Sequence, residues 1–397
     1  MKTNRLTKNI LSIKTTVACT AIAILAGCQT DDSSEDSSSA DLGVDNYVQV
    51  ATGQVKLYDA NGNTVSSLSA GDSCYGQDAN YQKGAAMSYL DNGDGTITDL
   101  NTGLIWQQVP TSTDFTWQEA SDYCDDLELS GYNDWRIPSC KELYSISDFS
   151  SGWPYLNLNY FSLASGSVTK DEQFWSSDYY VGVTVEGGSK AAFGVNHVTG
   201  HIKAYAADMM GPIGGKYVRA VRGGNYGVNE YTSNGDGTIT DSASGLMWST
   251  DDNGVGIEWE DALEYAENAE VAGYTDWRLP NVKELQGIVD YSYSPSATSS
   301  ENIGPAINSI FNCTPITNEA GNSDYAYYWT STSAHFTSGE AYYYAWYVAF
   351  GTAVNGEGQD FHGAGAVRFD AKYDGGATVE GNEERCYNFL RLVRSAN

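Results

Sequence analysis

Asn92-Gly-Asp-Gly-Thr-Ile-Thr-Asp99 recurs letter for letter as Asn234-Gly-Asp-Gly-Thr-Ile-Thr-Asp241. Outward from that stretch the match continues at one offset of 142 residues. Gly103-Leu-Ile-Trp106 returns as Gly245-Leu-Met-Trp248, and Trp117 as Trp259. Gly131-Tyr-Asn-Asp-Trp-Arg-Ile-Pro138 returns as Gly273-Tyr-Thr-Asp-Trp-Arg-Leu-Pro280, and Lys141-Glu-Leu143 as Lys283-Glu-Leu285. Further on, Phe174-Trp-Ser-Ser177 resembles Tyr328-Trp-Thr-Ser331, and Tyr217-Val-Arg-Ala-Val-Arg222 resembles Phe389-Leu-Arg-Leu-Val-Arg394. The offset has grown there, so the second copy carries insertions. A period this long marks tandem domains, since solenoid repeats run at about 20–50 residues. The copies are placed at residues 86–224 and 229–397. Each is expected to fold around its own tryptophan-lined interior.

Within a copy the local signals agree. Asn92-Gly-Asp-Gly95 is turn chemistry, with Gly supplying positive φ. Thr96-Ile-Thr98 and Leu104-Ile-Trp106 read as short strands. Thr116-Trp-Gln-Glu119 is a capping box that opens a helix, with Trp117, Ala120, Cys124 and Leu127 on one face and Gly131 as its C′ residue. Ser139-Cys-Lys-Glu142 is a second capping box, matched by Asn281-Val-Lys-Glu284. The later half of each copy, rich in Tyr, Trp, Val and Gly, reads as short antiparallel strands. Strands, two helices, then strands make an α+β domain. Residues 46–85, ahead of the first copy, read as a small β segment packed on that copy, with a strand at 52–59, a turn at Asn61-Gly62 and a second strand at 75–81.

Together, Asn-Gly-Asp-Gly-Thr-Ile-Thr-Asp, Gly-Leu-Ile/Met-Trp, Asp-Trp-Arg-Ile/Leu-Pro-x-x-Lys-Glu-Leu, Trp-Ser/Thr-Ser and the closing Arg-x-Val-Arg resemble the DUF1566 family, the Lcl C-terminal domain. Two copies would cover the chain from about residue 86 to its end. The resemblance implies two tandem C-type-lectin-like domains with short antiparallel strands and two helices each, distantly akin to sulfatase-modifying-factor domains. It also implies bacterial surface proteins, with adhesion or glycan binding for some members. Binding of sulfated polysaccharides in that family is attributed to a basic surface. This chain departs from that pattern: it carries 21 Lys and Arg against 51 Asp and Glu, a net charge of −30. Sulfated polysaccharides and nucleic acids are therefore disfavoured as partners.

The first residues read as an address. Lys2, Arg5, Lys8 and Lys14 form a basic n-region, and residues 17–25 a short apolar h-region. Leu25-Ala26-Gly27-Cys28 resembles a bacterial lipobox. The expectation is a signal peptide over residues 1–27 and lipidation of Cys28, with several acyl chains giving a stable membrane anchor. Gln29, in place of Asp, favours the outer membrane; surface-exposed and periplasm-facing orientations both stay open. The 28–45 stretch, Ser- and acid-rich without aromatics after Cys28, reads as a flexible tether.

Candidate sites follow from residue chemistry. Asp91, Asp94 and Asp99 could gather around Ca²⁺, but Asp91 becomes Ser233 in the second copy and no closing Glu is present, so a plain hairpin turn is favoured and no cofactor is assigned. Trp135-Arg136 and Trp277-Arg278 could stack on a sugar, although their recurrence beside Pro and a capping box favours a structural role. Glu142 and Glu284 are expected to pair with Arg222 and Arg394. The tyrosine-dense stretch of the second copy could form an aromatic ligand surface from Tyr342, Tyr344 and Trp346, with Asn355 and Asp360 supplying polar contacts. Alternation along strands would place about half of those aromatics in the core.

Among the cysteines, Cys313–Cys386 and Cys124–Cys140 are the expected disulfides, with Cys74–Cys124 as a rival pairing. No nucleophile elbow, zincin, phosphate-binding or dinucleotide motif is present, so no catalytic residue is assigned and an enzyme is not expected. The expected function is a lipid-anchored binding or adhesion module for a glycan or a protein. A structural envelope subunit is the alternative, and an enzyme on a sulfatase-modifying-factor-like fold a more distant one.

Overall fold

The computed structural model describes residues 46–211, 213–224, 226–375 and 385–397. Cys28, residues 1–27 and the 28–45 tether lie outside the described residues. In the lead-in, β1 (Leu57–Tyr58) pairs with β2 (Thr64–Val65) and is followed by helix α1 (Asp78–Tyr81). A helix thus stands where a second strand is expected, because the left-handed residues Cys74, Gly76 and Gln82 turn the chain on either side of it.

The first copy runs β3 (Tyr89–Asp91), β4 (Thr96–Asp99), β5 (Ile105–Gln107), α2 (Trp117–Asp125), α3 (Cys140–Ser145), β6 (Gln173–Tyr180), β7 (Ala191–Asn196), β8 (Ile202–Ala206) and β9 (Val221–Arg222). The second repeats the order as β10 (Tyr231–Ser233), β11 (Thr238–Asp241), β12 (Leu246–Ser249), α4 (Trp259–Glu267) and α5 (Val282–Gly287). An added hairpin of β13 (Pro315–Thr317) and β14 (Ser323–Tyr325) follows, then β15 (Tyr327–Ala334), β16 (Tyr344–Ala349), β17 (Val367–Ala371) and β18 (Val393–Ser395). The hairpin is part of the insertion that widens the repeat offset.

The capping boxes form as expected at Thr116, Ser139 and Asn281. Gly131 is not the C′ residue of α2, which ends at Asp125. Instead Gly131, at φ +79°, turns the chain between the bridged Leu129 and Tyr132. The recurrent Tyr-x-Asp-Trp-Arg segment is an electrostatic clasp. Arg136 grips Glu142, the capping residue of α3, through two bonds of 2.7 and 2.5 Å, and Arg278 grips Glu284 in the same way at 2.7 and 2.6 Å. Arg222 and Arg394 pair with Asp134 and Asp276 and lie over the rings of Tyr132 and Tyr274. The expected Glu142–Arg222 and Glu284–Arg394 pairs are therefore exchanged, because each glutamate is turned back onto its own helix N-terminus, six residues from the nearer arginine.

Each copy closes a four-stranded antiparallel sheet, β3-β4-β5-β9 and β10-β11-β12-β18. The remaining long strands form a single six-stranded sheet in the order β15-β16-β17-β8-β7-β6. Its midline joins equivalent strands of the two copies, antiparallel, at Val367 and Ile202. Like strands meeting antiparallel is the relation a two-fold axis produces. Joining them also removes an exposed edge from each copy.

The expectation of two separate interiors is corrected here. A small cluster around Trp135 and Trp175 belongs to the first copy alone, and one around Trp259, Trp277 and Trp329 joins the second copy to Cys74 of the lead-in, which here packs on the second copy and not, as expected, on the first. The main core is shared: Phe193 packs on Tyr291 (ring centroids 4.6 Å apart), and Phe149 and Tyr155 pack edge-on against Trp346. Along β16, Tyr344, Trp346 and Val348 enter the shared core while Ala345, Tyr347 and Ala349 enter the second copy's own cluster. Both faces of the strand are covered, so alternation yields no exposed face.

Candidate functional site

Between the copies lies a cleft of about 580 Å³. The first copy contributes α3 and the end of β6. The linker contributes Gly227 and Val228, and the second copy Asn229, Tyr231 and the loop after α5. Ser139 caps α3, and that first turn sets Lys141 facing the linker, where its ammonium donates to the Gly227 carbonyl (3.1 Å) and to Asn229 Oδ1 (2.8 Å). Burial lowers the ammonium pKa to about 8, against the pull of Asp178 and Asp290.

Asp178 sits where the β6–β7 register shifts between Trp175 and Tyr179. Its carboxylate accepts the Cys140 backbone N–H at 2.7 Å, and burial raises its pKa. Tyr179 is exposed at the rim, its ring packed on Trp117 at 4.3 Å. Across the cleft Asp290 accepts the N–H and hydroxyl of Ser292. Tyr291 turns its ring inward onto Phe193 and leaves its backbone at the wall. An ammonium, two carboxylates, an aromatic rim and open backbone groups suit the site to holding a polar ligand by hydrogen bonds.

The expected aromatic ligand surface is not formed. Tyr344 and Trp346 are 1% and 0% exposed, and Tyr342 is 9% exposed, with its ring stacked on Tyr58 and on His335. The lead-in segment and the first copy cover what would be a free face if the second copy stood alone. Asn355 caps its own hairpin by accepting the Glu357 and Gln359 N–H groups. Asp360 is occupied internally: Oδ2 accepts from the Tyr180 and Ser296 hydroxyls and Oδ1 from the Gly363 N–H.

The three acidic candidates for Ca²⁺ do not converge. Asp91, Asp94 and Asp99 accept the backbone N–H of Gly93, Thr96 and Asn101, each within its own turn. Among the described residues no group of three or more His, Cys, Asp or Glu side chains could hold a metal ion. Trp135 and Trp277 are buried, which removes the sugar-stacking reading.

The five described cysteines are free thiols, which corrects Cys313–Cys386, Cys124–Cys140 and the rival Cys74–Cys124. Cys124 faces the first copy's own cluster, whereas Cys140 opens α3 within the shared core and approaches Ser176 Oγ. Cys74 lies in the second copy's cluster beside Glu260. The Cys313 sulfur lies 3.7 Å from the Arg391 guanidinium.

Lys141, Asp178, Tyr179 and Tyr291 were not legible as a site. The available signal was contrast between aligned positions: Lys141 and Lys283 agree, whereas Asp178 and Tyr179 stand where the second copy has Thr332 and Ser333. Another unanticipated feature is Arg219, fully buried, whose guanidinium donates to the carbonyls of Gln107, Gln108 and Ser162. Arg391 repeats this on Ser249, Thr250 and Asn312.

Among the described residues no helix is long and apolar enough to cross a membrane. The family model of the Lcl C-terminal domain matches the chain twice, over residues 95–222 and 237–370. No curated protein and no solved structure matches the chain.

Proposed function

This chain belongs to the Lcl C-terminal domain family, and we propose that it is a bacterial envelope lipoprotein acting as a binding module in adhesion. In this reading each copy is a C-type-lectin-like domain, and the two together present one ligand site. The observation that carries it is the cleft of about 580 Å³ whose walls come from both copies. The anchor reading follows from Leu25-Ala26-Gly27-Cys28, and Gln29 in place of Asp favours the outer membrane. Asp178 and Asp290 in the cleft wall, beside a single lysine, speak against a sulfated polysaccharide as ligand. No catalytic role is assigned: the Lys141 ammonium already bonds Gly227 and Asn229, which suits it to positioning.

The test uses the purified full chain on a glycan array and in crosslinking to envelope proteins. A Val228→Trp variant runs beside it, since Val228 is exposed at the cleft and a bulky ring there would fill it. A ligand retained by the native chain and lost by the variant is the expected result. No ligand in either format, or equal retention by both proteins, overturns the reading. Protease shaving of intact cells reports which side of the membrane the module faces.

A further inference from the structure

The two-fold relation between the copies gives the cleft a counterpart, formed by α5 and β15 of the second copy with the start and the post-α3 loop of the first. That counterpart is filled. Residues 49–54 run through it, and all but Gly53 among residues 50–54 are buried. The Ala51 N–H donates to the Ala85 carbonyl (2.9 Å), and the Ala85 N–H to the Gln49 carbonyl (2.8 Å), as a parallel bridge. Lys283 Nζ donates to the Ala51 carbonyl (3.0 Å), and the Phe149 N–H to the Thr52 carbonyl (2.8 Å). The Gln54 carboxamide clamps Ser333, donating to its carbonyl (2.9 Å) and accepting its N–H (2.8 Å). The Thr52 and Thr332 hydroxyls both donate to Asp78.

Asp78 belongs to the lead-in and has no repeat equivalent, but the other five groups that hold the segment do, and their equivalents all line the open cleft. Ala85 corresponds to Gly227, Lys283 to Lys141, and Phe149 to Tyr291. Ser333 corresponds to Tyr179, and Thr332 to Asp178. The N–H groups of Gly227 and Tyr291, whose counterparts bind the threaded segment, have no partner among the described residues. Tyr179 sits opposite Ala192 as Ser333 sits opposite Ala345, so its N–H and C=O turn outward from the edge of β6 just as those of Ser333 do. Lys141 uses two of its three donors, on Gly227 and Asn229.

We propose that the cleft takes an extended polypeptide segment of a partner protein, bound as residues 49–54 are bound in the counterpart. The proposal rests on the cleft being the ligand site and names its ligand class. Strand addition explains both the open edge and the unpaired N–H groups, because main-chain bonds give affinity and pockets select alternate side chains. The chemistry specifies the segment. Small residues are needed where Val50, Ala51 and Gly53 lie. A carboxamide is needed opposite Tyr179. A donor side chain, hydroxyl or ammonium, is needed at the Thr52 position, where Asp178 presents a carboxylate in place of the Thr332 hydroxyl.

The probe is the capped peptide acetyl-Gln-Val-Ala-Thr-Gly-Gln-amide, titrated by calorimetry into the full chain, with a photoreactive analogue for mapping. The expected result is saturable binding, with crosslinks in the segments holding Tyr179 and Tyr291. Binding should weaken at least tenfold in Val228→Trp and for the peptide with Val in place of Thr. Val55→Trp, at an exposed site outside the cleft, should bind as the native chain does. Crosslinks at Phe149 and Ser333 would mean that the peptide displaces the chain's own segment, which overturns the proposal. Cleft-dependent binding of an oligosaccharide with none of the peptide overturns it while leaving the binding-module reading intact. A dimer of this chain that excludes the peptide assigns the cleft to a second copy and also overturns it. Absence of every ligand removes both readings.

Discussion

Tyr180 of the first copy donates its phenol hydroxyl to the Asp360 carboxylate of the second, and the same hydroxyl meets Ser294 Oγ at 2.7 Å. The pair is a polar rivet across the junction of the copies. Burial raises the Asp360 pKa to about 6. Its folded pKa therefore lies above its unfolded value of about 3.9. The contribution to stability is complete below that unfolded value and is lost as pH rises through about 6. The thermal midpoint should fall between pH 4 and pH 6, and Asp360→Asn, uncharged throughout, should flatten that fall. Equal slopes for the two proteins in a calorimetric pH series would refute the assignment.

The buried lysines act over a different window. Lys372 donates to the Asp59 carbonyl and lies 4.3 Å from the centre of the Trp259 ring, and burial lowers its pKa to about 7. A depressed folded pKa makes stability greatest above the unfolded lysine value, near 10.4, and costs it as pH falls through about 7. Lys283, also lowered to about 7, adds in the same direction. Denaturant midpoints should therefore rise from pH 7 to pH 9, and Lys372→Met should rise less.

Arg219 is held by three backbone carbonyls, with no carboxylate among the described residues bonded to it. Arg219→Met leaves those carbonyls unpaired in the interior, at about 1–3 kcal/mol each. Destabilisation of about 3–5 kcal/mol is expected from chemical denaturation. Arg219→Lys should recover only part of it, because one ammonium cannot reproduce the planar fork. Arg391 should behave alike.

Gln54 tests the threaded segment. Gln54→Ala orphans the Ser333 N–H and C=O, for a loss of about 1–3 kcal/mol. Hydrogen exchange should show the Ser333 amide deprotected well before its neighbours in β15. An unchanged exchange rate there would mean that the carboxamide clamp contributes nothing.

Thiol chemistry checks the cysteines. Cys74, Cys124 and Cys140 are buried, and burial raises the pKa of each. They should resist alkylation until the chain unfolds, while Cys313 and Cys386 react sooner. Mass spectrometry should find all five labelled after unfolding without reductant, and reductant should leave the thermal midpoint unmoved.

Much of this architecture could be read from residue order alone, and the limits are physical. The duplicated Asn-Gly-Asp-Gly turns, the capping glutamates and the buried tryptophans all follow from local rules. The turn needs glycine and an N-cap needs its acceptor within three residues, whatever the rest of the chain does. The shared core depends on contacts such as Phe149 with Trp346, nearly two hundred residues apart, to which no local period points. Tyrosine density in β16 was ambiguous for the same reason, since alternation separates two faces without saying that both are covered. The cleft was hidden because its residues are individually ordinary. Only the fold brings Lys141, Asp178 and Tyr291 to one wall, and only the comparison of two like positions shows that one is stoppered.

The antiparallel seam between β8 and β17 has one further consequence. Two identical chains meeting along that seam would carry two equal mouths and bind with a stoichiometry of two. Fusing them on one polypeptide allows a single upstream stretch to seal one mouth, so under the proposed binding role a molecule built from a doublet would be monovalent. Clustering many targets would then depend on how densely the molecules populate a surface, and not on any one of them bridging a pair.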